Sequence, residues 1–149
     1  MLACFLVGGR KYEFTLIGWI DGGIEGNASR EVIINDRPKV GFCKAEPRKG
    51  EPLDPKFTLS CTKFTDTETP LQYEFFYRRE KTLETLGSGL EASRSRVTFP
   101  SGQEIVLYAK VSDSLGASSM VEFNSSIEVI HVWKWTEHKH SHITVMGCS

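Results

Sequence analysis

Apolar and polar residues alternate with a period of two in several short stretches of the chain. From Lys56 to Thr62, Phe57, Leu59 and Cys61 fall on one face, and serine and threonine fall on the other. Such alternation predicts a β-strand with one buried face. No segment carries a sustained apolar stripe with the helical period of 3.6 residues. The same alternation predicts strands at 11–18, 31–35, 56–62, 71–78, 95–99, 104–112 and 119–129, and one that begins at Val40.

Turn-forming residues separate these predicted strands. Glycine, proline and aspartate favour turns because they adopt or stabilise backbone angles that strands exclude. Short strands separated by turns are typical of a β-sandwich, so the sequence predicts an all-β protein of the fibronectin type III or immunoglobulin-like class. The stretch 80–89 is weakly patterned, and we interpret it as a flexible connector. The predicted turns are at 21–23, 36–38, 65–70, 100–102 and 113–116.

The alternation also predicts which side chains face the core. In each strand, the apolar residues two positions apart point to the same side of the sheet. Cys61 is predicted to point inward, where a disulfide between the packed faces would lie. The other predicted inward residues are Phe57, Leu59, Leu71, Tyr73, Phe75, Tyr77, Val97, Phe99, Ile105, Leu107, Ala109, Val111, Val121, Phe123, Ile127 and Val129.

A short internal repeat predicts the domain organisation. Residues 28–35 match residues 117–124 in the pattern Ala-Ser-x-x-Val-x-apolar-Asn, and each follows an aspartate and a glycine-containing turn. The copies lie about 90 residues apart, which fits a sandwich module of roughly 100 residues. We therefore expect residues 1–35 to be the C-terminal strands of a truncated preceding module. Residues 36–129 are expected to form one complete module, and 130–149 an atypical, disordered tail.

Composition excludes several classes of protein. The formal net charge of −1 favours neither nucleic acid nor an anionic membrane as a partner. No run of about 18 apolar residues is present, so no transmembrane helix is predicted in this chain. The apolar run from Met1 to Val7 is short and has no basic residue before it, so a signal peptide is not favoured. We expect Met1 to begin a truncated version of a longer chain.

The cysteine spacing bears on the cellular compartment. Of Cys4, Cys43, Cys61 and Cys148, the inner two lie in well-patterned sequence, and no close pair suggests a zinc site. We favour a Cys43–Cys61 disulfide, with two free buried thiols as the alternative. A disulfide implies an oxidising compartment.

Two glycosylation sequons agree with an extracellular location. They begin at Asn27 (Asn-Ala-Ser) and Asn124 (Asn-Ser-Ser). Each is a weak signal alone, since such triplets arise by chance, and the cysteine pair strengthens both. Asn124 is predicted to lie on a solvated strand face that tolerates a glycan.

Catalytic and metal-binding chemistry finds little support. All four histidines lie after residue 130, so no serine in the patterned sequence has a histidine to activate it. His138, His140 and His142 alternate and form a weak candidate for a zinc or copper site, but we favour a disordered tail. Asp113 and the other turn acids are scattered, and we assign them to turns rather than to calcium. We predict a protein that is not an enzyme, with no cofactor.

The segment that contains Cys43 and Cys61 has a recognisable pattern of residues. That pattern consists of Gly41, Cys43, Pro47, Gly50, Phe57, Cys61, Pro70, Leu71, Tyr73 and Phe75. In spacing and residue type it resembles the receptor-for-egg-jelly (REJ) region of the polycystin-1 family. The resemblance implies a series of fibronectin type III-like sandwiches in the ectodomain of receptor-like or channel-associated membrane proteins. It carries over no catalytic residue, and it stops after Val129.

These observations support two hypotheses of function. The first is a non-catalytic extracellular structural or interaction module, on the outer face of a membrane as part of a longer, membrane-anchored parent. Its partners would be neighbouring modules of the same ectodomain and possible protein or glycan ligands. The alternative is a soluble ligand- or carbohydrate-binding sandwich that uses the loops near 47–55 and 65–70.

Overall fold

A computed structural model describes residues 5–51, 57–100 and 104–130, and within these ranges every regular element is a strand. None of the described residues forms a helix long and apolar enough to cross a membrane. The fold is therefore all-β. The strands are β1 (Lys11–Ile20), β2 (Gly23–Ile33), β3 (Phe42–Glu46), β4 (Lys49–Gly50), β5 (Phe57–Thr62), β6 (Gln72–Arg79), β7 (Thr82–Gly89), β8 (Ser93–Val97), β9 (Glu104–Ile105), β10 (Leu107–Ser112), β11 (Ser118–Glu122) and β12 (Ile127–Val129).

Strands β3 to β12 form a β-sandwich. One sheet has the order β3-β5-β8, and the opposing sheet has the order β11-β10-β6-β7. A small third ladder has the order β4-β12-β9. It continues the second sheet, because β9 leads directly into β10 and β12 follows β11 in the chain. The pairing of β12 with β4 is parallel, and the pairings of the two main sheets are antiparallel. This arrangement confirms the predicted sandwich.

The core lies between the two sheets. The alternating burial of β5 matches its predicted inward face, and Leu59 is fully buried. In β10, the predicted inward residues Ala109 and Val111 are fully buried, and Tyr108 on the opposite face is also buried. Edge-to-face aromatic contacts join the two sheets across the core: Phe64 contacts Tyr73, and Tyr77 contacts Phe99. Every predicted inward residue belongs to the core cluster or packs against it. The cluster also includes Cys43, Ala45 and Phe64, which the alternation did not single out.

Four predicted elements differ from the structure in extent or in type. The predicted connector at 80–89 is strand β7, an edge strand whose side chains are mostly exposed. Strand β2 begins at Gly23, eight residues before the predicted start. The predicted strand 104–112 is divided at Val106 into β9 and β10, and the predicted strand 119–129 is divided at 123–126 into β11 and β12. Burial alternation identifies strands that contribute to the core, so it misses exposed edges.

Gly41 lies just before β3, where the backbone of Thr62 and Lys63 comes too close to leave room for a side chain. A Cβ placed there would lie 2.1 Å from the carbonyl oxygen of Thr62 and 2.7 Å from the carbonyl carbon of Lys63. We expect Gly41→Ala to destabilise the sandwich by about 2 kcal/mol or more, because backbone atoms cannot turn away as a side chain can. Urea denaturation of both forms measures the difference.

The matched control is Gly26→Ala in β2, where a Cβ meets nothing within 4 Å. This change should alter stability by less than about 0.5 kcal/mol. Equal effects of the two substitutions would contradict the backbone contact at Gly41.

Candidate interaction surface: the disulfide, the linker and the β1–β2 ribbon

Cys43 and Cys61 form a disulfide that joins neighbouring strands of one sheet. The two residues are directly opposite each other in the β3–β5 ladder, with their Cα atoms 4.1 Å apart. Both are buried in the core cluster. The predicted pairing is confirmed, but the expected bridge between the packed faces is wrong, because β3 and β5 lie side by side in the same sheet. The bond closes the first hairpin of the sandwich.

The linker between β2 and β3, residues 34–41, docks on the end of the sandwich. Pro38 is buried, and its carbonyl accepts a hydrogen bond of 2.6 Å from the hydroxyl of Ser119 in β11. The N–H of Lys39 donates to the carbonyl of Thr65, 2.9 Å away. These bonds fix the path of the chain between the β1–β2 ribbon (residues 11–33) and the sandwich.

Asn35 and Asp113 form the side-chain contact of this linker. The amide Nδ2 of Asn35 donates to Oδ2 of Asp113 at 2.7 Å. The other carboxylate oxygen accepts from the backbone N–H groups of Leu115 and Ala117, each at 2.9 Å. Asp113 therefore shapes the β10–β11 turn and holds the linker at the same time. Its side chain is buried, although the sequence indicated only a turn residue.

The hydrogen bonds set the charge state of Asp113. Burial raises the pKa of this carboxyl, but hydrogen bonds from the Asn35 side chain and the turn N–H groups outweigh it and hold the pKa below its ordinary value. A depressed folded-state pKa contributes stability above the unfolded-state pKa of about 4, and this contribution is lost as the pH falls through the folded-state value. At neutral pH the Asp113 carboxylate is therefore charged and accepts all of these hydrogen bonds.

We expect Asp113→Ala to lower the free energy of unfolding at pH 7. The difference from the unchanged chain should shrink below about pH 4, because protonation of Asp113 then removes from the unchanged chain the interactions that the variant already lacks. Denaturant unfolding at several pH values measures it. Asp36→Ala is the control, since Asp36 is exposed and its carboxylate accepts from the adjacent N–H of Arg37. A pH-independent difference would contradict the charged state of Asp113.

The β1–β2 ribbon repeats the register of the β10–β11 hairpin. Thr15 lies opposite Ser29, just as Ser112 lies opposite Ser118. Phe14 consequently occupies the position of Val111, which is fully buried in the sandwich. The sequence repeat at 28–35 and 117–124 thus falls on the second strand of each hairpin. The ribbon differs in its longer tip, where residues 16–28 replace 113–117.

The ribbon has two faces, which we name by one residue each. The Phe14 face includes Tyr12, Phe14 and Leu16, and it corresponds to the core-facing side of β10. Phe14 is 47% exposed and Leu16 is 76% exposed, whereas the equivalent side of β10 is buried. The strands β1 and β2 form a two-stranded sheet of their own. Within the described residues, the Phe14 face therefore lacks an opposing sheet.

The opposite side of the ribbon is the Trp19 face. Ile17 and Trp19 alternate with the Phe14 face along β1, and Asn27 of β2 lies directly opposite Ile17. Trp19 is 71% exposed and Ile17 is 47% exposed. The hydroxyl groups of Thr15 and Ser29 are hydrogen-bonded to each other at 2.7 Å on the same side. This face combines a sequon with exposed apolar side chains.

The other predicted sites lie apart from the ribbon. Asn124 is exposed in the break between β11 and β12, and its N–H donates to the carbonyl of Cys43. His138, His140 and His142 lie outside the described residues. Among the residues that are described, no group of three or more histidine, cysteine or acidic side chains is arranged to hold a metal ion.

One of the two loops in the ligand-binding alternative, 47–55, falls partly outside the described residues, which resume at Phe57. The loop 65–70 lies beside the linker, where Thr65 and Thr67 line a cleft with Asp36 and Arg37.

The fold defines the class of protein: it is a β-sandwich module with two packed sheets, a disulfide within one sheet and a docked linker. A family model described as the REJ domain matches residues 3–145. The chain belongs to this family, and the resemblance drawn from its motifs is confirmed. The match also extends beyond Val129, where the motif resemblance stopped.

Two curated relatives agree with this assignment. Both are named polycystin family receptor for egg jelly, one from Homo sapiens and one from Mus musculus. The chain is 29% identical to the human protein and 27% identical to the mouse protein over 113 residues. The alignments cover 64% of this chain and 5% of each relative. The chain thus spans a small part of the proteins it matches.

Proposed function

We propose that this chain is a non-catalytic structural and interaction module in the ectodomain of a polycystin-like membrane receptor or channel-associated protein. The module spaces its neighbours, bears force and presents surfaces to partners on the extracellular side. The buried Cys43–Cys61 disulfide is the observation that carries this proposal. Disulfides persist in oxidising compartments and are rare in the cytosol.

The disulfide also suits a module under tension. It connects β3 to β5, so a pull on the chain cannot extend the residues between Cys43 and Cys61. The linker adds side-chain and backbone bonds where the ribbon meets the sandwich. Both features favour a fixed geometry between successive parts of the chain. The word receptor in the names of the relatives agrees with a location on a membrane surface.

Neighbouring modules of the same ectodomain are the proposed partners. We propose that residues 1–35 end a preceding sandwich and that residues 36–129 form one complete module. The register that the ribbon shares with β10–β11 supports this division, because the Phe14 face corresponds to a buried sheet face. A two-stranded ribbon alone is marginally stable in water, so its apolar face requires an opposing sheet.

Disulfide mapping tests the proposed compartment. The full chain is fused to a secretory signal peptide and collected from the medium of cultured animal cells. Peptide maps with and without reductant should show Cys43 linked to Cys61. Free thiols at both positions in the secreted, folded chain would count against an extracellular module.

A further inference from the structure

We propose that Asn27 carries an N-linked glycan whose first sugar packs on Trp19 and covers the Trp19 face of the ribbon. This inference rests on the proposed extracellular location, because N-glycans are added in the secretory pathway. The attachment chemistry is standard: the side-chain amide nitrogen of Asn27 forms a bond to the anomeric carbon of N-acetylglucosamine. The bond from that carbon to the lipid pyrophosphate of the donor breaks, the lipid pyrophosphate leaves, and one amide proton is lost.

The acceptor residue is accessible and lies close to the tip of the ribbon. Asn27 is exposed in β2, near the Asp21–Gly22 turn, in the sequon Asn27-Ala28-Ser29. Asn27 lies in the ribbon tip, residues 16–28, which is longer than the corresponding β10–β11 turn at 113–117. Position and exposure both favour modification.

The neighbours of Asn27 supply a surface for the sugar. Ile17 is directly across the strand pair, and Trp19 lies two residues further along β1, just past a register shift where it pairs with Ile24. Diagonal neighbours in a regular ladder lie about 7–8 Å apart, so an aromatic ring at this position is long enough to reach a sugar on Asn27. The C–H face of N-acetylglucosamine is apolar, so packing on Trp19 removes apolar surface of both groups from water.

The glycan accounts for an apolar surface that a neighbouring module cannot cover. A preceding sandwich would pack on the Phe14 face, and the Trp19 face would then point outward into solvent. Exposed apolar side chains at Ile17 and Trp19 would remain there without a cover. A glycan at Asn27 covers this second face and leaves the Phe14 face free for the module interface.

Site occupancy is the first test. The secreted full chain is treated with peptide-N-glycosidase in H₂¹⁸O, which converts a glycosylated asparagine to labelled aspartate, and its peptides are analysed by mass spectrometry. Asn27 should be labelled, and the same experiment measures the occupancy of Asn124. An unlabelled Asn27 in a chain whose Cys43–Cys61 bond is intact overturns this inference alone. Free Cys43 and Cys61 thiols instead count against the proposed function.

Packing of the sugar on Trp19 is the second test. An endoglycosidase that leaves the first N-acetylglucosamine should preserve hydrogen-exchange protection in the peptides of the ribbon. Complete removal should speed that exchange by about 2- to 10-fold, the range expected for one aromatic contact. Trp19→Ala should abolish the difference between the two enzymes. Leu16→Ala, on the Phe14 face, is the matched control and should preserve it; equal behaviour of the two variants overturns the packing.

Discussion

Replacing Phe57 with alanine is expected to lower the free energy of unfolding by about 3–5 kcal/mol, the usual effect of removing a buried aromatic ring. Phe57 is 1% exposed, and its ring contacts Phe99 edge-to-face with centroids 5.4 Å apart. Gly50 of β4 lies against the same ring, since a Cβ there would be 2.5 Å from it. The ring therefore joins the β3-β5-β8 sheet to the β4-β12-β9 ladder.

Urea unfolding of the intact disulfide-bonded chain measures this loss. Leu83→Ala is the control, because Leu83 lies in the edge strand β7 and is 45% exposed. That change should cost much less than the Phe57 change. If both variants lost the same stability, Phe57 would not occupy the centre of the core.

Removal of the disulfide is expected to have the next largest effect. The double substitution Cys43→Ala and Cys61→Ala should destabilise the sandwich by about 3 kcal/mol, mainly by freeing the unfolded chain. Alanine fits the buried positions without adding a polar group, so the main loss is the covalent link. Thermal and urea unfolding with and without reductant measure it.

The control for this prediction uses the two remaining cysteines. Cys4→Ser with Cys148→Ser should leave stability unchanged within about 0.5 kcal/mol, and reductant should still destabilise that variant. Reductant should have no effect on the Cys43→Ala/Cys61→Ala chain. A reductant effect that persists in the latter chain would assign the stabilising bond to other cysteines.

The core of the sandwich was predictable from the sequence, for a physical reason. Residues such as Leu59, Phe75 and Val111 alternate with polar residues because each strand buries one face. Strand β7 buries little of its surface, so its sequence carries no such alternation. Its pairing with β6 depends on backbone hydrogen bonds, which every residue except proline can make. Edge strands of this kind leave a weak trace in sequence.

The candidate surface was predictable only in part. The pairing of Cys43 with Cys61 followed from spacing and pattern, but their position in one sheet depended on which strands are neighbours. The contact of Asn35 with Asp113 joins residues far apart in the chain, and nothing local marks it. The repeat at 28–35 gave an indirect signal, because it predicted a module boundary after Asn35.

The ribbon shows how one sequence pattern can have different structural outcomes. Phe14 and Val111 take equivalent positions in two hairpins of the same register. Val111 is buried by an opposing sheet, and Phe14 is half exposed. The alternation of apolar and polar residues therefore indicates that a strand is suited to packing against an opposing sheet. The described part of the chain supplies that environment for β10 and not for β1.

Native-state hydrogen exchange of the full chain tests the division between ribbon and sandwich most directly. Amides of β5, β6 and β10 should share one high free energy of opening, because they exchange only when the whole sandwich unfolds. Amides of residues 11–33 should exchange at a far lower free energy, since the Phe14 face has no opposing sheet in the described structure. Protection of the ribbon equal to that of β10 would contradict the assignment of the ribbon to a separate, preceding module.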